Sequence, residues 1–133
     1  MTLVDTSVWI DFFRGHDLPH VQRLEEIIGQ GEDLALCGVI LTEILQGIRD
    51  DQTFSRTQTR LEPLLLLPMT QSVFIQAAII YRGLRAKGMT IRKPVDCMIA
   101  ATALEHGAWL LHNDRDFEAI ARHYPLRSSN LRH

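Results

Sequence analysis

The chain has 133 residues, 46% of them hydrophobic, with a formal charge of -2 and a pI near 6.3. This length suits a single domain, residues 1–133, that buries its own core without disulfides. The acidic balance argues against a protein that grips nucleic acid by bulk positive charge, but not against one whose metal ions supply that charge locally.

Short apolar runs alternate with longer helical stretches. Thr2–Val4 reads as a first strand, followed by a helix over Thr6–Phe13. A second helix over residues 19–30 places Val21, Leu24, Ile27 and Ile28 on one face. Leu34–Cys37 reads as a strand, and residues 39–48 as a helix with Ile40, Ile44 and Ile48 four apart. A helix over residues 53–62 and a strand over residues 64–67, stopped by Pro68, come next. A long helix over residues 71–87 ends at Gly88. Pro94 opens a helix that Gly107 closes near His106. Trp109–His112 is a strand, residues 114–122 a short helix, and Leu126 with its neighbours an edge strand. Strands separated by helices require crossover connections, hence an α/β fold with a mainly parallel sheet.

Cys37 and Cys97 sit far apart in apolar runs and read as small buried hydrophobes. No CxxC and no paired histidine spacing indicates zinc. No basic-then-apolar leader opens the sequence, and no apolar run approaches the ~20 residues that span a bilayer. The expected location is the cytoplasm, with no membrane partner.

Four acids stand out by position. Asp5 directly follows the first strand, and Asp114 closely follows Trp109–His112. Both therefore fall at the carboxyl edge of the sheet, where open α/β sheets bind ligands. Asp96 lies in the first turn of the helix opened by Pro94, and Glu43 is flanked by Leu41, Ile44 and Leu45. A carboxylate among apolar neighbours is costly to bury unless a positive group faces it. Each position also has a plainer reading. Asp5 and Asp114 suit helix N-caps, Asp96 suits a helix dipole, and Glu43 suits a solvated helix face. Four carboxylates crowded in one cleft would repel one another without a cation.

The segments Val4-Asp5-Thr6-Ser7, Leu41-Thr42-Glu43-Ile44-Leu45-Gln46-Gly47, residues 94–104 from Pro94-Val95-Asp96 onward, and Asn113-Asp114-Arg115-Asp116-Phe117 resemble, in order and spacing, the acidic motifs of the PIN-domain family. The resemblance spans nearly the whole chain, and its small size is similar to the VapC branch, the toxins of bacterial toxin–antitoxin pairs. It implies an α/β/α sandwich, metal-dependent RNA cleavage and inhibition by a cognate antitoxin. Asp5, Glu43, Asp96 and Asp114 match the family's acids. Asp116 stands as an extra ligand or a substitute for Asp114, and Thr6 and Asn113 match supporting polar positions. A homodimer is the expected assembly.

A carboxylate-only donor set suits Mg²⁺, with Mn²⁺ able to substitute. Asp5 and Asp96 are expected to hold the principal ion, with Glu43 and Asp114 completing the shell. Arg14, Arg92, Lys93 and Arg115 lie near the motifs and suit either RNA phosphates or solvent. Trp9, Phe12 and Phe13 suit core packing ahead of a binding surface, as does most of residues 61–67. A haloacid-dehalogenase-type phosphatase would need a second Asp where Ser7 stands, and a receiver domain an early acidic pair. A PIN nuclease of RNA maturation without an antitoxin, or a non-catalytic binding module, remains the alternative.

Overall fold

The structure is a computed structural model that describes residues 1–130. Its elements are β1 (Thr2–Val4), α1 (Thr6–Phe13), α2 (Pro19–Gly29), β2 (Leu34–Cys37), α3 (Gly38–Gln46), α4 (Asp51–Leu61), β3 (Leu65–Leu67), α5 (Gln71–Ala86), α6 (Pro94–His106), β4 (Trp109–His112), α7 (Arg115–His123) and β5 (Ser128–Asn130). The five strands form one sheet in the order β3-β2-β1-β4-β5, and every pairing is parallel. The mainly parallel sheet read from the sequence is thus wholly parallel among the described residues.

The strands are short because each need only cross one core layer. β1 and β2 are buried along their whole length, so their runs Thr-Leu-Val and Leu-Ala-Leu-Cys carry no polar alternation. This pattern belongs to parallel strands covered on both faces. Leu3, Val4, Leu110 and Leu111 are fully buried at the centre. α1 packs on α2 and α3, and α5 packs on α6 and α7. The start of α5 and the end of α6 are tied together. Ser72 Oγ donates to Glu105 at 3.2 Å, and His106 Nε2 meets the Pro68 carbonyl at 3.0 Å.

Helix ends follow local chemistry. Pro94 begins α6, and Gly107 ends it with a left-handed φ of 63°, a conformation that L side chains resist. Helix α4 starts at Asp51, earlier than its apolar pattern suggests, because the Asp50 side chain accepts from Thr53 N–H at 2.8 Å. Among residues 61–67, Leu61 and Leu67 are core. Leu65 and Leu66 are exposed, since β3 is an edge strand. Cys37 and Cys97 are free and buried, and burial pushes both thiols up to about 11. Among the described residues, no helix is long and apolar enough to cross a membrane.

The topology fixes where chemistry can occur. The chain moves outward from β1 to β2 and β3, then crosses back to lay β4 on the other side of β1. The order therefore reverses between β1 and β4, leaving a crevice beyond their carboxyl ends. Asp5 follows β1 and Asp114 follows β4, so both flank that crevice.

Candidate active site

Asp5 is the residue between β1 and α1, and its N–H donates to the Leu111 carbonyl of β4 at 3.0 Å. That bond ties Asp5 to the strand that leads to Asp114. Asp5 occupies the N-cap position of α1 but makes no side-chain cap bond. Its carboxylate instead accepts from Ser7 Oγ at 3.0 Å. Burial raises its pKa against that bond and the Thr6 N–H, and Glu43 raises it further.

Thr6 Oγ1 donates to Glu43 Oε1 at 2.7 Å, joining α1 to α3. Asp5, Thr6, Ser7, Glu43, Gln46, Lys93, Asp96 and Ile10 line one cavity of about 300 Å³. Thr6 thus stands between Asp5 and Ser7 on the cavity and is bonded to Glu43. Asn113, by contrast, is exposed and lies outside the cavity lining. Ser7 and Gln46 escaped the sequence reading. Ser7 was discoverable as the hydroxyl two residues beyond Asp5; Gln46 carries no comparable signal.

Asp96 is 2% exposed in the first turn of α6, as closely buried as Asp5. Oxygens of Asp96, Asp114 and Asp116 lie within 4.8 Å of one another. Burial pushes Asp96 up to about 7. Lys93 opposes that rise, and Asp5, Asp114 and Asp116 add to it. Asp96 Oδ2 is buried with no hydrogen-bond partner. An unsatisfied buried carboxylate oxygen is expensive, and a proton or a bound cation relieves the cost.

Asp114 does cap α7, accepting from Asp116 N–H at 2.8 Å, and its carboxylate also lies beside those of Asp96 and Asp116. Its own N–H donates to Nδ1 of His112 at 3.2 Å. His112 is fully buried and packs on Phe117, with ring centroids 5.1 Å apart. It therefore positions Asp114, a role its place in an apolar strand concealed. Asp116 accepts from the Arg92 N–H at 3.2 Å. The tightest oxygen grouping thus includes Asp116, while Asp5 and Glu43 face the cavity that Asp96 shares.

Of the nearby cations, two reach the cluster. Lys93 Nζ is 3.6 Å from Asp114 Oδ2, and Arg92 lies 3.8 Å from Asp114 and 3.9 Å from Asp116. Burial works against the Lys93 ammonium, but Asp96, Asp114 and Asp5 outweigh it and raise its pKa. Arg14 and Arg115 are exposed. The aromatic trio packs as expected: Trp9 is buried, and Phe12 and Phe13 lie against the core.

The donor set tests whether a metal fits. All the candidate ligands are carboxylates, three cluster within reach of one ion, and one buried oxygen lacks a partner. This is the chemistry of a hard divalent cation rather than of zinc. The family model for the PIN domain matches residues 2–123. The chain belongs to the PIN-domain family. Within it, Ribonuclease VapC11 of Mycobacterium tuberculosis is 36% identical over 134 aligned residues, covering 99% of this chain and 100% of the relative. Ribonuclease VapC51 of the same species is 33% identical, covering 90% of this chain and 84% of the relative. Among solved structures, FitAcB from Neisseria gonorrhoeae superposes with a TM-score of 0.76 at 25% identity, covering 98% of this chain and 97% of that one. VapBC2 from Rickettsia felis, bound to a DNA fragment from its promoter, superposes at 0.77 with 20% identity and 97% coverage of each chain. The PIN-like α/β/α architecture read from the motifs is therefore the fold of this chain.

Proposed function

We propose that this PIN domain is a metal-dependent endoribonuclease, the toxin of a toxin–antitoxin pair. The observation that carries the reading is Asp96, buried, short of a partner at Oδ2, and grouped with Asp114 and Asp116. Full-length likeness to ribonucleases of the VapC type supports it. Among the described residues, a core cluster reaching from Leu3 to Leu126 supports reading residues 1–133 as one domain.

Asp96, Asp114 and Asp116 would hold the ion from one side, and Asp5 and Glu43, which line the same cavity from β1 and α3, would complete its shell. Mg²⁺ is the proposed ion, with Mn²⁺ as a substitute. A bound divalent ion supplies a more acidic water and positive charge at the phosphate. The protein's own groups do the rest. Asp5 and Glu43 orient water on the cavity side, and Glu43 takes its proton. Ser7 and Thr6 hold those two carboxylates in place. His112 and the Arg92 backbone hold Asp114 and Asp116. The substrate is RNA, the location cytoplasmic and the assembly a homodimer.

The test is Asp96→Asn, which keeps shape and removes charge. It should abolish RNA cleavage in Mg²⁺ while leaving the circular dichroism spectrum intact. Wild-type cleavage that persists undiminished in excess chelator would overturn the metal-dependent reading. Co-expression with the neighbouring gene should give a complex that is inactive until the partner is removed. A nuclease that never binds that product would keep its activity assignment and lose the toxin one.

A further inference from the structure

We propose that Lys93 is a displaceable counter-cation, held by Asp114 in the metal-free protein and released to an RNA phosphate when a divalent ion takes the carboxylates. This rests on the nuclease reading above. Among the described cations near the site, Lys93 is the one that touches both halves of it, as Asp96 is the shared acid. Its Nζ lies 3.6 Å from Asp114 Oδ2, and it lines the cavity with Asp5, Glu43 and Asp96. It stands where a phosphate drawn to the cluster would come to rest.

The contact is loose. A tight ammonium–carboxylate hydrogen bond measures about 2.7–2.9 Å, and the Lys93 side chain is 55% exposed. The backbone beneath it is fixed. Its carbonyl accepts from Asp96 N–H at 2.9 Å, and the preceding Arg92 N–H donates to Asp116. The ammonium can therefore swing while the residue stays at the rim. Lys93 also leaves Asp96 Oδ2 without a partner, so it offsets part of the cluster's charge without completing it. A cation and a divalent ion beside the same carboxylates repel each other, which makes the two alternatives rather than companions. Arg92, 3.8 Å from Asp114 and 3.9 Å from Asp116, is more exposed and lies outside the cavity lining. Lys93 is thus the one aimed at substrate.

The experiment compares wild type with Lys93→Met and Lys93→Arg. Mn²⁺ affinity is measured by calorimetry without RNA. KM and kcat are measured on a single-stranded RNA at saturating Mn²⁺ across a salt series. Lys93→Met should bind Mn²⁺ about 3- to 10-fold more tightly, the scale of one removed neighbouring charge. It should raise KM about 5- to 10-fold and flatten the salt dependence by about one phosphate contact. Lys93→Arg should restore KM and the salt slope. Unchanged or weakened Mn²⁺ binding in Lys93→Met overturns the proposal, and so does an unchanged KM with an unchanged salt slope. If wild type binds Mn²⁺ and cleaves RNA while Lys93→Met matches it, the nuclease reading stands and this proposal alone falls. A wild type that neither binds Mn²⁺ nor cleaves RNA overturns both.

Discussion

The Thr6 hydroxyl donates to Glu43 Oε1 at 2.7 Å, across 37 residues of sequence. This bond fixes the one site carboxylate that stands on α3 rather than near a strand end. Without it, the Glu43 side chain regains its rotamers and spends less time facing the cavity. Thr6→Val keeps the shape of the side chain and removes the donor. It should lower cleavage about 10-fold, at the low end of what loss of a supporting hydrogen bond costs a metal site. Thr6→Ser should keep most of the activity. Initial rates for the three proteins over a Mn²⁺ series check this; a Thr6→Val enzyme with wild-type rates removes Glu43 from the machinery.

Asp96 gives the metal-free protein an unusual pH dependence. In the folded state burial holds its proton up to about 7, whereas an unfolded Asp titrates near 3.9. Between those values the folded state binds more protons than the unfolded one. Stability from this group is therefore fully present below about 3.9 and is lost as pH rises through about 7. The slope is at most about 1.4 kcal/mol per pH unit. Asp96→Asn lacks that slope, so the mutant should be the more stable protein above pH 7 in chelator. Urea midpoints of both proteins from pH 5 to 8 provide the check. Parallel curves would show that Asp96 ionises normally.

The exposed apolar side chains of α5 bear on assembly. Phe74, Ile75 and Ile79 are each about half exposed and lie on one side of the helix. Apolar side chains gathered on one face are the natural surface for a second copy of the chain. Ile75→Glu places a charge there and should shift the proposed homodimer to monomer, with the fold retained because Ile75 is not core. Light scattering coupled to gel filtration decides it. An unchanged dimer mass moves the interface off this helix.

The sequence carried the fold well where burial and punctuation agree. β1 and β2 are unbroken apolar runs, and Pro94 and Gly107 bracket α6 within a residue of the chain's actual turn. It was weaker at β3, where Leu65 and Leu66 read as core. An edge strand has a neighbour on one side alone, a fact of topology that hydropathy does not encode. In the site, the acids were legible because each sits beside a strand end or helix start. Which of them lie closest together was not. Asp116 joins Asp96 and Asp114 because α7 begins at Arg115, and the Asp114 cap turns Asp116 inward. His112 was invisible because a buried strand histidine looks like any other core position. Its hydrogen bond to Asp114 N–H exists only in three dimensions.

Asp5 and Asp114 both precede a helix, yet they should respond oppositely to removal. Asp5 makes no cap bond and is 4% exposed, its carboxylate disfavoured by burial and by Glu43. Asp114 caps α7 through Asp116 N–H at 2.8 Å and is relieved by Lys93 and Arg92. In chelator, Asp5→Ala should melt no lower than wild type, since it deletes a repelling charge from a crowded cleft. Asp114→Ala should melt lower, by the ~1 kcal/mol of a lost cap. Metal reverses the ranking for wild type alone. An ion that binds only the folded state adds RT ln(1 + [L]/Kd), about 2.7 kcal/mol at a hundredfold excess over Kd. Wild type should therefore gain melting temperature in Mn²⁺, and both mutants should lose most of that gain. Scanning calorimetry of the three proteins with and without Mn²⁺ tests the pair together. An Asp5→Ala protein that is destabilised in chelator yet keeps its full metal response would make Asp5 a structural residue and leave the ion to Asp96, Asp114 and Asp116.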